Sequence, residues 1–235
     1  MKQTLVLTLI ILLGCSSKMK TGEQSLSLKS YNLKGNVEYF SDKKIPSILT
    51  EEWITIPDST SSISIQNKYF DNNGLLTELK YFDKDSVLML KSEIIKSKTG
   101  KYQGSKDFDK NGKQTKLTKI ISSTKDNLET ETYDQKSGDL ISKSKTEYEN
   151  HLVKKQYSES VSQGHKSEYI YKRNDEGNEI EISMIMEFGN QKMERITFVK
   201  YLDFDEYGNW TKRIDYNREN GSECLLTVRR INYYE

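Results

Sequence analysis

The sequence predicts an all-β protein, an antiparallel meander of repeated hairpins that forms an extended twisted sheet. The chain contains no alanine, the strongest helix former, whereas residues that favour strands and turns, such as Ser, Thr, Tyr, Ile and Asn, are abundant. No long segment beyond the N-terminal apolar run has apolar residues at helical spacing. A turn signal recurs at intervals of about 12 or about 24–26 residues, as expected for single strands and whole hairpins. We expect an open ribbon, a half-barrel or a solenoid-like sheet.

The N-terminus carries an export signal. Lys2 supplies a positive charge, an apolar segment runs from Leu5 to Leu13, and Gly14 and Cys15 complete a small-residue cleavage site. This segment resembles the lipobox of bacterial lipoproteins, which implies a signal peptide at residues 1–14 and lipid attachment at Cys15. The alternatives are an ordinary signal peptide or a membrane anchor, but the apolar run is shorter than the ~20 residues that a membrane span needs. The membrane is therefore the first predicted partner, reached through the N-terminal lipid.

The polar residues 15–30 are predicted to form a lipidated flexible tether. We expect residues 31–235 to form a single repetitive β-sheet domain that starts near Tyr31. Its first strand is introduced by the segment from Leu33 to Val37.

The recurring turn signal is an aromatic residue, usually an acidic one, a few polar residues and then glycine. It occurs at 69–74, 108–112, 133–138, 171–177, 204–208 and 216–221. The aromatic residue is predicted to end a strand, the Asp or Asn side chain to bind nearby backbone, and the glycine to adopt positive φ. Each copy therefore predicts a hairpin end.

Apolar residues are unevenly distributed between these turns. Between about 97 and 167 they are sparse, so we expect strands exposed on both faces there. Alternation places Trp210, Lys212, Ile214 and Tyr216 on one face of a strand. The predicted core residues lie near the two ends of the chain and are Trp53, Ile54, Ile56, Ile63, Ile65, Tyr69, Leu79, Ile182, Met184, Phe198, Leu202, Phe204, Trp210, Ile214, Leu226 and Val228.

Charge and cysteine content exclude several classes of function. There are 36 Lys and Arg residues and 35 Asp and Glu residues, a formal net charge of +1. Without a basic excess to neutralise phosphates, nucleic acid is not a predicted partner. If Cys15 carries lipid, Cys224 has no cysteine left to pair with, so no intramolecular disulfide is predicted.

The hairpin units resemble YD repeats of the RHS-like class and, more loosely, MORN-variant repeats of bacterial proteins. The resemblance is strongest from Phe204 to Arg213, and the segment from Leu33 to Val37 resembles the first strand of such envelope lipoproteins. It implies a repetitive β-fold. YD-repeat regions are generally structural, with sugar binding often suggested, and one MORN-variant group is labelled antitoxin or immunity-like. No specific residue role transfers to this chain.

Motifs for catalysis or metal binding are weak. Residues 107–112 match the first half of an EF-hand loop, but position 12 is Thr118 and lysines occupy the loop, so a hairpin turn is favoured. His151 and His165 are not spaced as a zinc site. We predict no enzyme activity, no cofactor and no metal.

Exposed aromatic side chains offer one possible ligand site, because aromatic rings stack on sugars. Tyr207 and Trp210 are the candidate stacking pair, although most aromatic residues occupy structural positions before turns. The predicted function is a non-catalytic binding or scaffold surface on a lipoprotein of the outer membrane, facing the periplasm. The alternatives are a carbohydrate-binding accessory protein and an immunity-type partner-binding protein, so an envelope protein or a glycan is the expected partner.

Overall fold

The computed structural model describes residues 26–52, 54–58, 62–217 and 223–235. These residues form one 3-10 helix, Leu28–Tyr31, and one antiparallel sheet of 15 strands. The strands are β1 (Val37–Leu49), β2 (Thr55–Pro57), β3 (Ser64–Phe70), β4 (Leu76–Phe82), β5 (Leu88–Lys96), β6 (Tyr102–Asp109), β7 (Gln114–Ser123), β8 (Asn127–Asp134), β9 (Leu140–Glu149), β10 (Leu152–Ser160), β11 (His165–Arg173), β12 (Glu179–Phe188), β13 (Gln191–Phe204), β14 (Trp210–Tyr216) and β15 (Glu223–Tyr233). In the described ranges, no helix is long and apolar enough to span a membrane.

The sheet closes on itself through its first and last long strands. β1 pairs with β3 on one side and with β15 on the other, from Val37↔Tyr233 to Ile48↔Glu223. Among the described strands, β1 and β3–β15 thus form a 14-strand barrel, and the short β2 extends the end of β1. The all-β antiparallel meander is confirmed, but the open ribbon, half-barrel or solenoid was wrong. Turn signals define each hairpin locally, whereas closure depends on pairing between the chain's two ends, which removes both sheet edges.

The predicted turn chemistry is confirmed at the hairpin after β6. The Asp109 carboxylate accepts hydrogen bonds from the backbone N–H groups of Asn111 (2.9 Å) and Lys113 (3.0 Å), and Gly112 has φ +77°. Asp71, Asp83 and Asp205 bind the backbone two and four residues onward in the same way. This local bonding fixes the register of each hairpin.

Alternating strand directions gather the turns at two ends of the barrel. We name the end that holds the turns after β3, β5, β7, β9, β11 and β13 the plug end, and the opposite end the distal end. β1 begins and β15 finishes at the plug end.

Residues 26–36, here named the plug, cover the plug end. Backbone groups of Leu26 and Leu28 bind the turn after β3, the Asn32 amide binds the turn after β11, and the Lys34 backbone binds the turn after β13. Leu26 and Leu28 of the predicted tether therefore contact the barrel.

Glycines mark the difference between the two ends. At Gly74 (φ +71°), an added Cβ would lie 3.0 Å from the Leu28 Cδ1 of the plug. At Gly112 (φ +77°) in a distal turn, an added Cβ would meet nothing within 4 Å. The turn at Gly74 is thus packed against the plug, whereas the distal turn at Gly112 is open.

The strands between 97 and 167 have one inward and one outward face, so the expectation of exposure on both faces was wrong. Inward hydroxyls bond across strands, as between Thr118 and Thr132 (3.0 Å) and between Thr130 and Ser144 (2.7 Å). Thr130 is buried, whereas Lys143, one register step away on the other face, is exposed. A wide lumen accepts small polar side chains where a dry core would need apolar ones.

The principal apolar cluster joins the plug to the barrel wall and comprises Leu33 of the plug with Val37, Phe40, Phe70 and Leu76 of the strands. Of the predicted core residues, Trp210, Ile214 and Leu226 are buried, which confirms them. Ile54, Ile56, Leu202 and Phe204 are exposed, so their assignment was wrong, and Trp53 lies outside the described residues. Ile54 and Ile56 belong to the β2 extension rather than to the barrel wall.

Candidate functional site

A chamber of about 200 Å³ lies inside the barrel beneath the plug. Its walls come from the plug, β1, β3 and β10–β15, so side chains from facing strands converge on it. Its charged lining residues are Lys44, Lys68, Arg173, Arg213 and Arg229 on the cationic side and Asp42 and Glu179 on the acidic side. Charged groups in such a water-poor interior need partners to offset the loss of hydration.

The first ion pair joins β1 to β15. Arg229 donates from Nε to Asp42 Oδ1 (2.6 Å) and from Nη2 to Oδ2 (2.8 Å), and both side chains are 7% exposed. The guanidinium also lies 3.6 Å from the centroid of the Trp210 ring and 4.2 Å from that of Phe40. Burial alone would raise the pKa of Asp42, but the Arg229 hydrogen bonds and charge hold that pKa below its usual range. The pair is therefore ionised and geometrically fixed.

Arg213 is the centre of a second network. It donates to Glu179 Oε2 (3.0 Å) and to Asp215 Oδ2 (3.1 Å), while Glu179 Oε1 accepts from Arg173 (3.3 Å). Burial would lower the pKa of Arg213, but the adjacent carboxylates raise it above its ordinary value. Burial raises the pKa of Asp215, against the opposing effect of Arg213. Both carboxylates of this network are thus paired with arginines.

Two lysines complete the cationic lining. Lys68 Nζ donates to Gln66 Oε1 (2.8 Å) and lies 4.8 Å from the Phe40 ring centroid. In the described part of the chain, no carboxylate oxygen lies within 4.0 Å of the Nζ atom of Lys44 or Lys68, so neither lysine forms an ion pair. Burial, followed by nearby cations such as Arg229, lowers the pKa of Lys68 to about 8, against the attraction of Asp42.

Thr227 and Tyr31 are two of the neutral polar residues that line the chamber. The Thr227 hydroxyl is buried and has no hydrogen-bond partner, although the residue lines the chamber. Tyr31 of the plug packs edge-on against Phe40 (5.9 Å) and Phe70 (5.8 Å) between ring centroids. Burial raises the pKa of Tyr31 well above its ordinary value, so its hydroxyl stays neutral.

A larger cavity of about 780 Å³ lies on the distal side of this network. Its lining includes Ile182, Met184 and Leu225 together with Arg195 and Asp215. Because Asp215 lines this cavity and its partner Arg213 lines the chamber, their ion pair lies between the two spaces.

The predicted site residues lie apart. Cys15 lies outside the described residues. Tyr207 is 46% exposed in the turn after β13, and its ring packs on Tyr233 with centroids 4.4 Å apart. Trp210 is 9% exposed and faces Arg229 in the chamber. The two rings therefore do not form one stacking platform.

A register shift explains the position of Trp210. Asp203 pairs with Lys212 and Phe204 pairs with Trp210, so Thr211 is an extra residue. Such a bulge shifts the alternation of side chains by one residue, so Trp210 lies on the same face as Arg213. Simple alternation, which placed Trp210 with Lys212, was therefore wrong at this residue.

The charged chamber residues were missed from the sequence. One signal was available, because the chain has only six arginines and three of them, Arg173, Arg213 and Arg229, line the chamber. Arginine suits buried ion pairs better than lysine, because its planar guanidinium binds carboxylates through two hydrogen bonds.

The half EF-hand at residues 107–112 is a hairpin turn. Asp107 accepts a hydrogen bond from the Ser92 hydroxyl (2.7 Å), and Asp109 binds turn backbone. A search of the described residues finds no group of three or more His, Cys, Asp or Glu side chains placed to hold a metal ion.

Comparisons with known proteins support the fold alone. No protein-family model and no curated protein sequence matches the chain. A crystal structure of a porin-like protein from Bacteroides uniformis matches with a TM-score of 0.50 at 8% identity, over 83% of this chain and 96% of that one. A porin-like protein from Bacteroides vulgatus has a TM-score of 0.46 at 12% identity, over 86% and 99% of the two chains.

Proposed function

We propose that the protein is a lipid-tethered binding protein of the bacterial outer membrane whose barrel stands in water on the periplasmic side and holds a small polar ligand in its lumen. The lipobox-like segment ending at Cys15 supports the tether, and the ion-pair-lined chamber supports lumen binding. The porin-like likeness is compatible with an envelope location.

The outward face of the barrel supports a tethered barrel over one embedded in lipid. Mid-strand outward positions from β4 to β12 carry Glu78, Lys80, Lys91, Glu93, Lys119, Glu131, Lys143, Lys145, Glu168, Lys172 and Glu181. Several pair on this face, as Lys91 does with Glu78 (2.9 Å) and Lys172 with Glu181 (2.6 Å). Each outward lysine would cost about 2–4 kcal/mol at the middle of a bilayer, where a membrane barrel presents an apolar band. This charged outer face is the observation that carries the proposal.

Cell fractionation tests the tether. Wild-type protein should sediment with the outer membrane, and Cys15→Ala should appear in the soluble periplasmic fraction. Cys224→Ala is the matched control, because it removes the other cysteine and leaves the lipobox intact. A barrel embedded in lipid would stay in the membrane fraction after Cys15→Ala, which would refute the proposal.

A substitution at Tyr207 distinguishes glycan binding and immunity-type partner binding from binding in the lumen. Recognition of a glycan or protein at the exposed turn should fail with Tyr207→Ala. Lumen binding should tolerate that change, because Tyr207 packs on Tyr233 outside the chamber lining.

A further inference from the structure

We propose that the chamber beneath the plug binds one small oxyanion, a molecule bearing a carboxylate or phosphate group, through Lys44, Lys68 and the Thr227 hydroxyl. This inference deepens the proposed lumen-binding function and rests on it. It names the ligand class and the residues that recognise it.

The charge balance of the lining points to an anion. Both Asp42 oxygens are taken by Arg229, and the oxygens of Glu179 are taken by Arg173 and Arg213. Asp215, which pairs with Arg213, is the remaining carboxylate of the cluster. With five cations and these three carboxylates, the cluster keeps an excess of two positive charges.

The excess positive charge lies on the lysines, because the carboxylates are paired with the arginines. Lys44 lies on β1 directly opposite Thr227 of β15, and both line the chamber. Lys68 reaches the same space from β3. Both lysines are half-buried. Because removing a cation from water without an anionic partner is costly, an oxyanion between the lysines would supply the missing charge.

Thr227 gives an independent indication of a ligand. The residue lines the chamber and is 1% exposed, and its buried hydroxyl has no hydrogen-bond partner among the described residues. Buried polar groups are rarely left unsatisfied, and each unsatisfied group calls for an explanation. A hydroxyl beside a lysine is suited to donate to a bound oxygen.

The size of the chamber limits the ligand. At ~30 Å³ for each water in the liquid, about 200 Å³ corresponds to roughly six or seven water molecules. This volume suits phosphate or a short dicarboxylate and excludes a polymer. Entry would be from the larger distal cavity, past the Arg213–Asp215 pair.

The test is calorimetric titration of the purified full-length protein with inorganic phosphate and with malonate, and with glucose as the neutral comparison. We expect at least one anion to bind with a dissociation constant below about 1 mM. Lys68→Met should weaken binding about 10- to 100-fold, since it removes a charged donor. Lys143→Met is the control on the outward face and should bind like wild type.

Thr227→Val separates ligand recognition from folding. It should weaken anion binding about 3- to 10-fold while the melting temperature stays the same or rises, because an unsatisfied buried hydroxyl is removed. Anion binding that is unchanged in Lys68→Met and Thr227→Val would overturn the site. Glucose binding without anion binding would overturn the assignment of an oxyanion as the ligand, while the proposal of lumen binding would stand. The Cys15→Ala fractionation result bears on the proposed tether alone.

Discussion

The Asp42–Arg229 pair should be essential to the stability of the closed barrel. Asp42→Asn removes the charge that neutralises Arg229 while keeping the size of the side chain. Because both partners are 7% exposed and joined by two short hydrogen bonds, the guanidinium would be left buried and unpaired. Breaking a buried pair in this way costs about 3–5 kcal/mol, so the free energy of unfolding should fall by that amount.

Two further variants control this measurement. Glu149→Gln breaks the exposed pair with Lys154, whose side chains are 63% and 55% exposed, and should cost less than about 1 kcal/mol. Asp42→Asn combined with Arg229→Met removes both charges, so it should recover much of the loss.

Urea unfolding followed by tryptophan fluorescence is the assay, since Trp210 lies 3.6 Å from the Arg229 guanidinium. Equal losses for Asp42→Asn and Glu149→Gln would refute the reasoning. A double variant less stable than Asp42→Asn alone would refute it as well.

Three other perturbations follow from the site and the plug. The pKa of Lys68 is lowered to about 8, so its charge opposes folding below that pH and the free energy of unfolding should rise between pH 8 and 10.5. Over the same range malonate, whose charge is constant there, should bind more weakly in calorimetric titrations. Asn209→Ala removes the amide that bonds the Lys34 N–H (2.7 Å) and carbonyl (2.9 Å), so hydrogen exchange of residues 26–36 should accelerate and stability should fall by about 2–4 kcal/mol. Gly74→Ala should lower the melting temperature more than Gly112→Ala, because both have positive φ but only Gly74 adjoins the plug.

Each of these predictions has its own contradicting result. The pH effects should be smaller in Lys68→Met, because the facing Asp42 and Arg213 keep their charges in that range. Effects of unchanged size would assign them to groups other than Lys68. Unchanged exchange at residues 26–36 in Asn209→Ala would show that its bonds do not hold the plug. Equal melting temperatures for the two glycine variants would show that the contact between the turn and the plug does not contribute to thermal stability.

Local structure was predictable because its causes are local in sequence. The bonds from Asp109 to backbone two and four residues onward need only one turn, so the repeated motif predicts each hairpin. Barrel closure was not predictable in this way, because it depends on β1 meeting β15. The turn residues carry no information on that distant pairing.

The chamber could not be read from alternation alone. Asp42 lines the chamber and the next residue of β1, Lys43, is exposed on the other face, so charge alone does not distinguish the two faces of that strand. The extra residue Thr211 also moved Trp210 to the inner face. Predicting the site would have required the positions of the bulges and the identity of the inward face.

An even number of strands in the barrel wall has a consequence for engineering. Because β1 starts and β15 finishes beside each other, at Val37↔Tyr233, a short linker could join the natural termini after removal of the tether. The ring could then be opened at a distal turn such as Gly138, which has nothing within 4 Å of an added Cβ. Such a circular permutant would keep every strand pair, while its new termini would lie at the distal end, opposite the plug.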